Sequence, residues 1–226
     1  MSKTFVIGDI HGSYRALLQC LGISGFNFQK DTLICLGDVV DGWPETRQAI
    51  EQLLQIENLI YILGNHDFWA LDWMETGYAN EIWLNQGGQA TINSYGDNVP
   101  ASHLHLLKNA LPYYLYHNQL FVHAGIDINK PLGKQDVDTL FWGRDFAQLA
   151  KAQHGHSKQL TLYDSVYIGH TPIKEEMPIQ YCEVWMMDTG AGWSGRLSMM
   201  NVETQECFVS DPVPELYPGI EGRKKI

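Results

Sequence analysis

Three short clusters near the start of the chain hold side chains of the types that could do chemistry. Gly8-Asp9-Ile10-His11-Gly12 sets a carboxylate and an imidazole two residues apart. In extended chain they point the same way, and the glycines let the turn approach an ion closely. Gly37-Asp38-Val39-Val40-Asp41 offers further carboxylates, and Gly64-Asn65-His66-Asp67 sets an amide oxygen beside an imidazole. Two single histidines follow, His123 in Phe-Val-His-Ala-Gly and His170 in Ile-Gly-His-Thr-Pro, each closing an apolar run. Singly, each has an ordinary explanation, since Asp after Gly forms turns and a histidine is often simply satisfied in place. As an ordered set they say more. Independent turn chemistry has no reason to put His or Asn at successive strand ends.

The elements that must position these residues can be read from periodicity. Thr4 to Gly8 is an apolar run, and Ser13 is placed to cap a helix whose Ala16, Leu17, Leu18 and Leu21 form a stripe. The unit recurs with Thr32 to Leu36, then Pro44 in the first turn of a helix to about Leu54, then Leu59 to Leu63. Strands alternating with helices predict a parallel sheet, whose functional groups gather beyond the carboxyl ends of the strands, where all three clusters fall. Phe68 to about Asn109 reads as helical, broken at Gln86-Gly-Gly and turning at Tyr95-Gly-Asp-Asn, and could cover the site or carry specificity. From Tyr113 the pattern changes to short β-rich runs at Tyr113–Tyr116, Gln119–His123, Val166–Ile168, Glu183–Asp188, Leu197–Val202 and Glu206–Val209, which predict a second, more mixed sheet.

Composition bounds the rest. With 226 residues, 45% hydrophobic and 18% charged, the chain suits one domain over 1–226. Pro212, Pro214, Pro218, Gly219, Gly222 and the basic end Arg223-Lys-Lys predict a loosely held tail over about 211–226. A net charge of -11 opposes the basic footprint needed to neutralise a nucleic-acid backbone, so a large nucleic acid is not the expected partner. Cys20, Cys35, Cys182 and Cys207 have no Cys-x-x-Cys spacing and read as reduced. No apolar run approaches membrane-spanning length and no signal-like leader opens the chain, so cytoplasm is the expected compartment.

In order and spacing the motifs resemble the metallophosphoesterases of the calcineurin-like superfamily, and among them the phosphoprotein phosphatases of bacterial and phage type. The resemblance runs from Phe5 to about Met200 and includes Trp83-Leu-Asn-Gln-Gly-Gly, Ser94-Tyr-Gly, Leu111-Pro-Tyr-Tyr, Trp142-Gly-Arg144 and Met187-Asp-Thr-Gly-Ala. It implies an α/β fold in which two mixed β-sheets pack as a sandwich flanked by helices, in four layers. It implies that Asp9, His11 and a bridging Asp38 hold one metal, and that Asp38, Asn65, His123 and His170 hold the second. Oxygen and imidazole donors without thiolate admit manganese, iron and zinc alike and do not rank them; two divalent ions are expected, with manganese taken as the first expectation and iron or zinc as alternatives. Ions about 3.5–4 Å apart can acidify a bridging water and clamp both oxygens of an in-line displacement. The resemblance further assigns His66 as the general acid for the leaving alkoxide, Asp41 as the group that orients and charges it, and Arg144 as the phosphate grip. Each has a plainer reading, as helix cap, strand terminator and partner of Asp145.

The chain departs from the resembling motifs after Asp41. Asp-Arg-Gly is usual there, whereas this chain reads Asp41-Gly42-Trp43, so a phosphate-binding arginine is missing. Arg47 could reach back to replace it. Trp43 could face a substrate ring or pack on Trp69 or Trp73. His103, His105, His154 and His156 are given no role. The expected activity is hydrolysis of phosphate monoesters, as a serine/threonine and possibly tyrosine phosphoprotein phosphatase also acting on small phosphate esters. A dinucleoside polyphosphate hydrolase, such as one cleaving diadenosine tetraphosphate, is the alternative, and a catalytically silent metal-binding module the lesser one. Oligomeric state is not legible.

Overall fold

The computed structural model describes residues 2–156 and 159–223. Its first sheet has the order β10-β9-β1-β2-β3, built from β1 (Thr4–Ile7), β2 (Thr32–Cys35), β3 (Asn58–Tyr61), β9 (Ser198–Asn201) and β10 (Cys207–Val209). Its second has the order β4-β5-β6-β8-β7, from β4 (Tyr113–Tyr116), β5 (Gln119–Val122), β6 (Ser165–Ile168), β7 (Ile179–Tyr181) and β8 (Val184–Met186). Strands β1, β2 and β3 run parallel, as do β5, β6 and β8, while β9, β10, β4 and β7 add antiparallel partners. Both sheets are therefore mixed.

Alternation along the strands assigns the layers. Val6 and Ile34 of the first sheet, with Leu36 just past β2, meet Phe121 and Tyr167 of the second in one buried cluster, the last two rings stacked at 4.7 Å. Phe5, Ile7, Leu33 and Cys35 point the other way, into a core shared with α1 (Tyr14–Ile23) and α2 (Thr46–Leu53). Leu120, Val122, Val166 and Ile168 do the same in the second sheet, against α7 (Val137–Trp142) and α8 (Asp145–Gln153). Central strands with two buried faces read as unbroken apolar runs rather than alternating ones. The helix-sheet-sheet-helix sandwich implied by the motifs is the fold observed.

Between β3 and β4 lie α3 (Asn65–Thr76), α4 (Glu81–Trp83), a π turn over Leu84–Gly88, α5 (Gln89–Tyr95) and α6 (Ala101–Lys108). The break falls at Gln86-Gly87, where Gly87 takes φ 108. Other details differ from expectation. The Ser13 hydroxyl donates to Ile10 O at 2.5 Å instead of capping α1. Strand β7 and helices α7 and α8 are elements the sequence reading does not include, although Val137, Leu140 and Phe141, and Phe146, Leu149 and Ala150, stand at helical spacing.

The tail also differs through Arg223. Val213 and Tyr217 are buried, and Tyr217 stacks on Trp43 at 5.0 Å while its hydroxyl contacts Glu45 and accepts from Arg15 N at 3.1 Å. Burial of a side chain such as Val213 contributes about 1.5–3 kcal/mol, enough to tie down a short segment. The Pro and Gly content shapes the turns of this segment, while its apolar residues dock it. Residues 224–226 lie outside the described part.

Candidate active site

Five of the parallel strands run out into a loop that carries one of the predicted polar residues, and the loops converge at the shared edge of the two sheets. Asp9 and His11 follow β1, Asp38 follows β2, Asn65 follows β3, His123 follows β5 and His170 follows β6. All six side chains are buried. Oxygens or ring nitrogens of Asp9, His11 and Asp38 lie within 4.8 Å of one another, as do those of Asp38, His123 and His170, so Asp38 belongs to both groups. Asn65 Oδ1 lies 3.1 Å from His123 Nε2 and 2.9 Å from His170 Nδ1.

Backbone carbonyls select the ring nitrogen that each histidine turns inward. His11 Nδ1 donates to Val40 O at 3.0 Å, His123 Nδ1 to Leu36 O at 2.8 Å, and His170 Nε2 to Trp142 O at 3.1 Å. The other nitrogen of each ring then faces the carboxylates, the arrangement by which outer partners orient metal-binding imidazoles. The carboxylates are aimed in the same way: His66 N donates to Asp38 Oδ1 at 2.9 Å, and His170 N to Asp9 Oδ2 at 3.0 Å. His11, Asp38, Asp41 and His170 adopt positive φ, four of the eight non-glycine residues that do so among the described residues, a conformation that costs energy and is kept only where the surrounding structure enforces it. Gly64 and Gly169 admit the close approach, since a Cβ there would stand 2.0 Å from Asp38 Oδ1 and 2.1 Å from Asp9 Oδ1.

Charge is crowded here. Burial and then the neighbouring Asp188 push Asp9 well above the carboxylate range. Burial alone would raise Asp38, but His123 and His66 hold it well below. Burial opposes protonation of His123, yet the Asp38 carboxylate beside it prevails and raises it to about 10. Burial and then the charge of His123 lower His170 to about 3. Burial also lifts Asp188 to about 6, and its Oδ2 has no hydrogen-bond partner among the described residues. Buried carboxylates, an orphaned oxygen and inward-turned imidazoles form a donor set that divalent cations fit.

Beside this cluster, His66 Nδ1 lies 2.5 Å from Asp41 Oδ2. Trp83 Nε1 donates to the same oxygen at 2.7 Å, and Thr91 Oγ1 donates to Asp41 Oδ1 at 2.8 Å. His66 Nε2 has no hydrogen-bond partner among the described residues and its ring lines a cleft of about 320 Å³ with Asp38, Asn65 and His170. Arg144 lines that cleft too, and a neighbouring hollow of about 690 Å³. Among the described residues its guanidinium pairs with no carboxylate, so the alternative pairing with Asp145 is not made. Arg47 instead pairs with Glu51 at 3.0 Å on the surface. Trp43 is buried, with its Nε1 donating to Ala191 O at 2.7 Å, so it packs in the core rather than facing a substrate ring, and its stacking partner is Tyr217 in place of Trp69 or Trp73.

Several contributors escaped the sequence reading. Asp67 accepts from Asp38 N, Val39 N, Gly64 N and Tyr61 Oη at 2.7–3.1 Å, tying the second and third motifs together, and burial raises it to about 6. Trp83 and Thr91 hold Asp41 from 42 and 50 residues away. Arg223 reaches His11. Only Asp67, beside His66 in its motif, carried a local signal.

Residues 2–186 match the model of the calcineurin-like phosphoesterases. The chain belongs to that family. It is 27% identical over 207 residues to "Serine/threonine-protein phosphatase 1" of Salmonella typhimurium, covering 88% of this chain and 91% of that one. It is 26% identical over 167 residues to the symmetrical bis(5'-nucleosyl)-tetraphosphatase of Nitrosomonas europaea, covering 68% of this chain and 58% of that one. Its fold matches a protein serine/threonine phosphatase structure from Saccharomyces cerevisiae with a TM-score of 0.64 at 16% identity, over 98% of this chain and 82% of that one. The chain is a phosphatase of the metallophosphoesterase family. Membership implies divalent metal ions, and the clustered Asp and His side chains could hold them. No helix among the described residues is long and apolar enough to cross a membrane.

Proposed function

We propose that the chain hydrolyses phosphoserine and phosphothreonine in proteins, with Asp9, His11 and Asp38 holding one divalent ion and Asp38, Asn65, His123 and His170 a second. Manganese is the metal we propose, and the set of oxygens and imidazoles admits iron or zinc as well. When bound, such a pair supplies an acidified water and positive charge against the phosphate oxygens. Arg144 would hold phosphate oxygens through its guanidinium fork.

The observation that carries the substrate class is the buried His66–Asp41 pair. A serine or threonine alkoxide is a poor leaving group that needs a proton, whereas a nucleotide leaving from a dinucleoside polyphosphate departs as a stable anion. A histidine with Nδ1 fixed at 2.5 Å from a carboxylate, Nε2 unpartnered among the described residues and its ring on the cleft is equipped to deliver that proton. Similarity to the tetraphosphatase of Nitrosomonas europaea supports the dinucleotide as the second reading.

The test is to strip the protein with chelator, restore manganese, and compare phosphate release from phosphoserine and phosphothreonine peptides with cleavage of diadenosine tetraphosphate. Metal-dependent turnover of the peptides is expected. Preference for the dinucleotide would replace this reading with the second, and no turnover of either would leave a silent module.

A further inference from the structure

The C-terminal segment brings a second guanidinium to the cleft. Arg223 N donates to Gly192 O at 2.8 Å, fixing the backbone beside the site. Its stem passes between Gly42 and Gly87, where a Cβ would stand 2.9 Å and 3.1 Å from Arg223 Cγ. Those two glycines, both at positive φ, make the passage the stem needs. The guanidinium carbon lies 4.4 Å over the Trp193 ring, Nε donates to Gln86 O at 3.0 Å and Nη2 to Gln86 Oε1 at 3.3 Å. Nη1 donates to His11 Nε2 at 3.1 Å. The group thus lies at the edge of the proposed ligand set, on the cleft shared by Asp38, His66 and Arg144.

Its pattern of partners indicates a purpose. A guanidinium carries five N–H donors. Two are engaged by Gln86, and the contact of Nη1 with His11 Nε2 is given up when that lone pair takes a metal, which leaves N–H groups on both Nη1 and Nη2 for two oxygens of a phosphate. None of its partners is a carboxylate: carbonyls, an imidazole and an aromatic face hold it, so among the described residues its charge is committed to no ion pair. The buried carboxylates of Asp38, Asp41, Asp188 and Asp9 favour its charge from nearby, yet none takes a hydrogen bond from it, so its remaining donors stay open to an anion in the cleft.

We propose that Arg223 is a substrate-binding residue, a second phosphate grip that the C-terminal segment supplies alongside Arg144. The inference rests on the reading of the cluster as a phosphoester site. It also gives the Asp41-Gly42 departure a physical sense, because the stem of Arg223 fills the space into which a side chain at position 42 would project.

Binding of inorganic phosphate to the manganese-loaded full chain, followed by calorimetry, tests it apart from turnover. Arg223→Ala is expected to weaken phosphate by about 10-fold or more, with two manganese ions per chain retained, and Arg223→Lys to restore part of the loss. Arg223→Met keeps the stem packed between the glycines without the charge, and carries the test should the alanine variant fold poorly. Wild-type phosphate affinity in Arg223→Met, with Arg144→Ala weakened, would overturn the role of Arg223 alone. Wild-type affinity in both would overturn the reading of the cleft as well. Tighter manganese binding or faster turnover on losing Arg223 would make it an obstacle at His11, and would also overturn the proposal.

Discussion

Replacing Asp41 by Asn removes one charge from the most closely held pair in the site and leaves its shape. Asp41 is fully buried and accepts at Oδ2 from Trp83 Nε1 and at Oδ1 from Thr91 Oγ1, with His66 Nδ1 2.5 Å from Oδ2. An asparagine would keep its oxygen toward Trp83 and His66, because its amide there would oppose two donors. Its NH2 would then face the Thr91 hydroxyl, which already accepts from Asp41 N at 2.8 Å. A hydrogen bond to a charged group is worth about 1.5–3 kcal/mol. Loss of the charge therefore costs up to about 10- to 150-fold in turnover at 1.36 kcal/mol per tenfold. His66→Asn removes the proton donor itself and should cost about 10²–10⁴-fold. Both losses are expected on a phosphoserine peptide and should shrink on 4-nitrophenyl phosphate, whose leaving group needs no proton. The double variant should be no slower than His66→Asn, since the two residues act as one unit. Steady-state kinetics on both substrates, at verified full metal content, measures this. Equal losses on the two substrates, or fully additive effects, would refute the assignment of His66 as acid and Asp41 as its support.

Three further outcomes follow from the same geometry. Asp38→Asn should lower bound manganese from two ions to fewer than one per chain after dialysis, because one carboxylate serves both groups; unchanged stoichiometry by elemental analysis would remove the bridging role. Chelation should lower the melting temperature. Metal at 100 times its dissociation constant stabilises by about 2.7 kcal/mol per site, or about 5–11 °C for a chain of this size, and a melting curve indifferent to chelator would argue against a loaded cluster. Thiol titration at pH 8 should find Cys182 and Cys207 reactive and Cys20 and Cys35 silent until unfolding. Burial raises the Cys20 thiol to about 12 and lifts Cys35 further still, so that at pH 8 only about one Cys20 in 10⁴ is thiolate; rapid labelling of Cys20 in the native chain would contradict its packing.

The parts of this molecule that were legible in its sequence are those where one strand delivers one residue. Asp9, Asp38, Asn65, His123 and His170 stand just past apolar runs, and a buried parallel strand has to end in a polar loop, so the run announces the residue behind it. Strand β7 has only three residues, all half-buried, and nothing in Ile179-Gln-Tyr separates it from a loop. Residues that act through another residue were harder still. Thr91 and Trp83 reach Asp41 because the helices between β3 and β4 fold back over the second motif, and no local pattern encodes a contact across 50 residues. Arg223 is the extreme case. Beside two lysines and after three prolines it has the composition of a solvated end, yet Tyr217 stacked on Trp43 turns the chain so that its guanidinium reaches the histidine of the first motif. What decides its place is the absence of side chains at Gly42 and Gly87, and that complementarity exists only once the chain has folded.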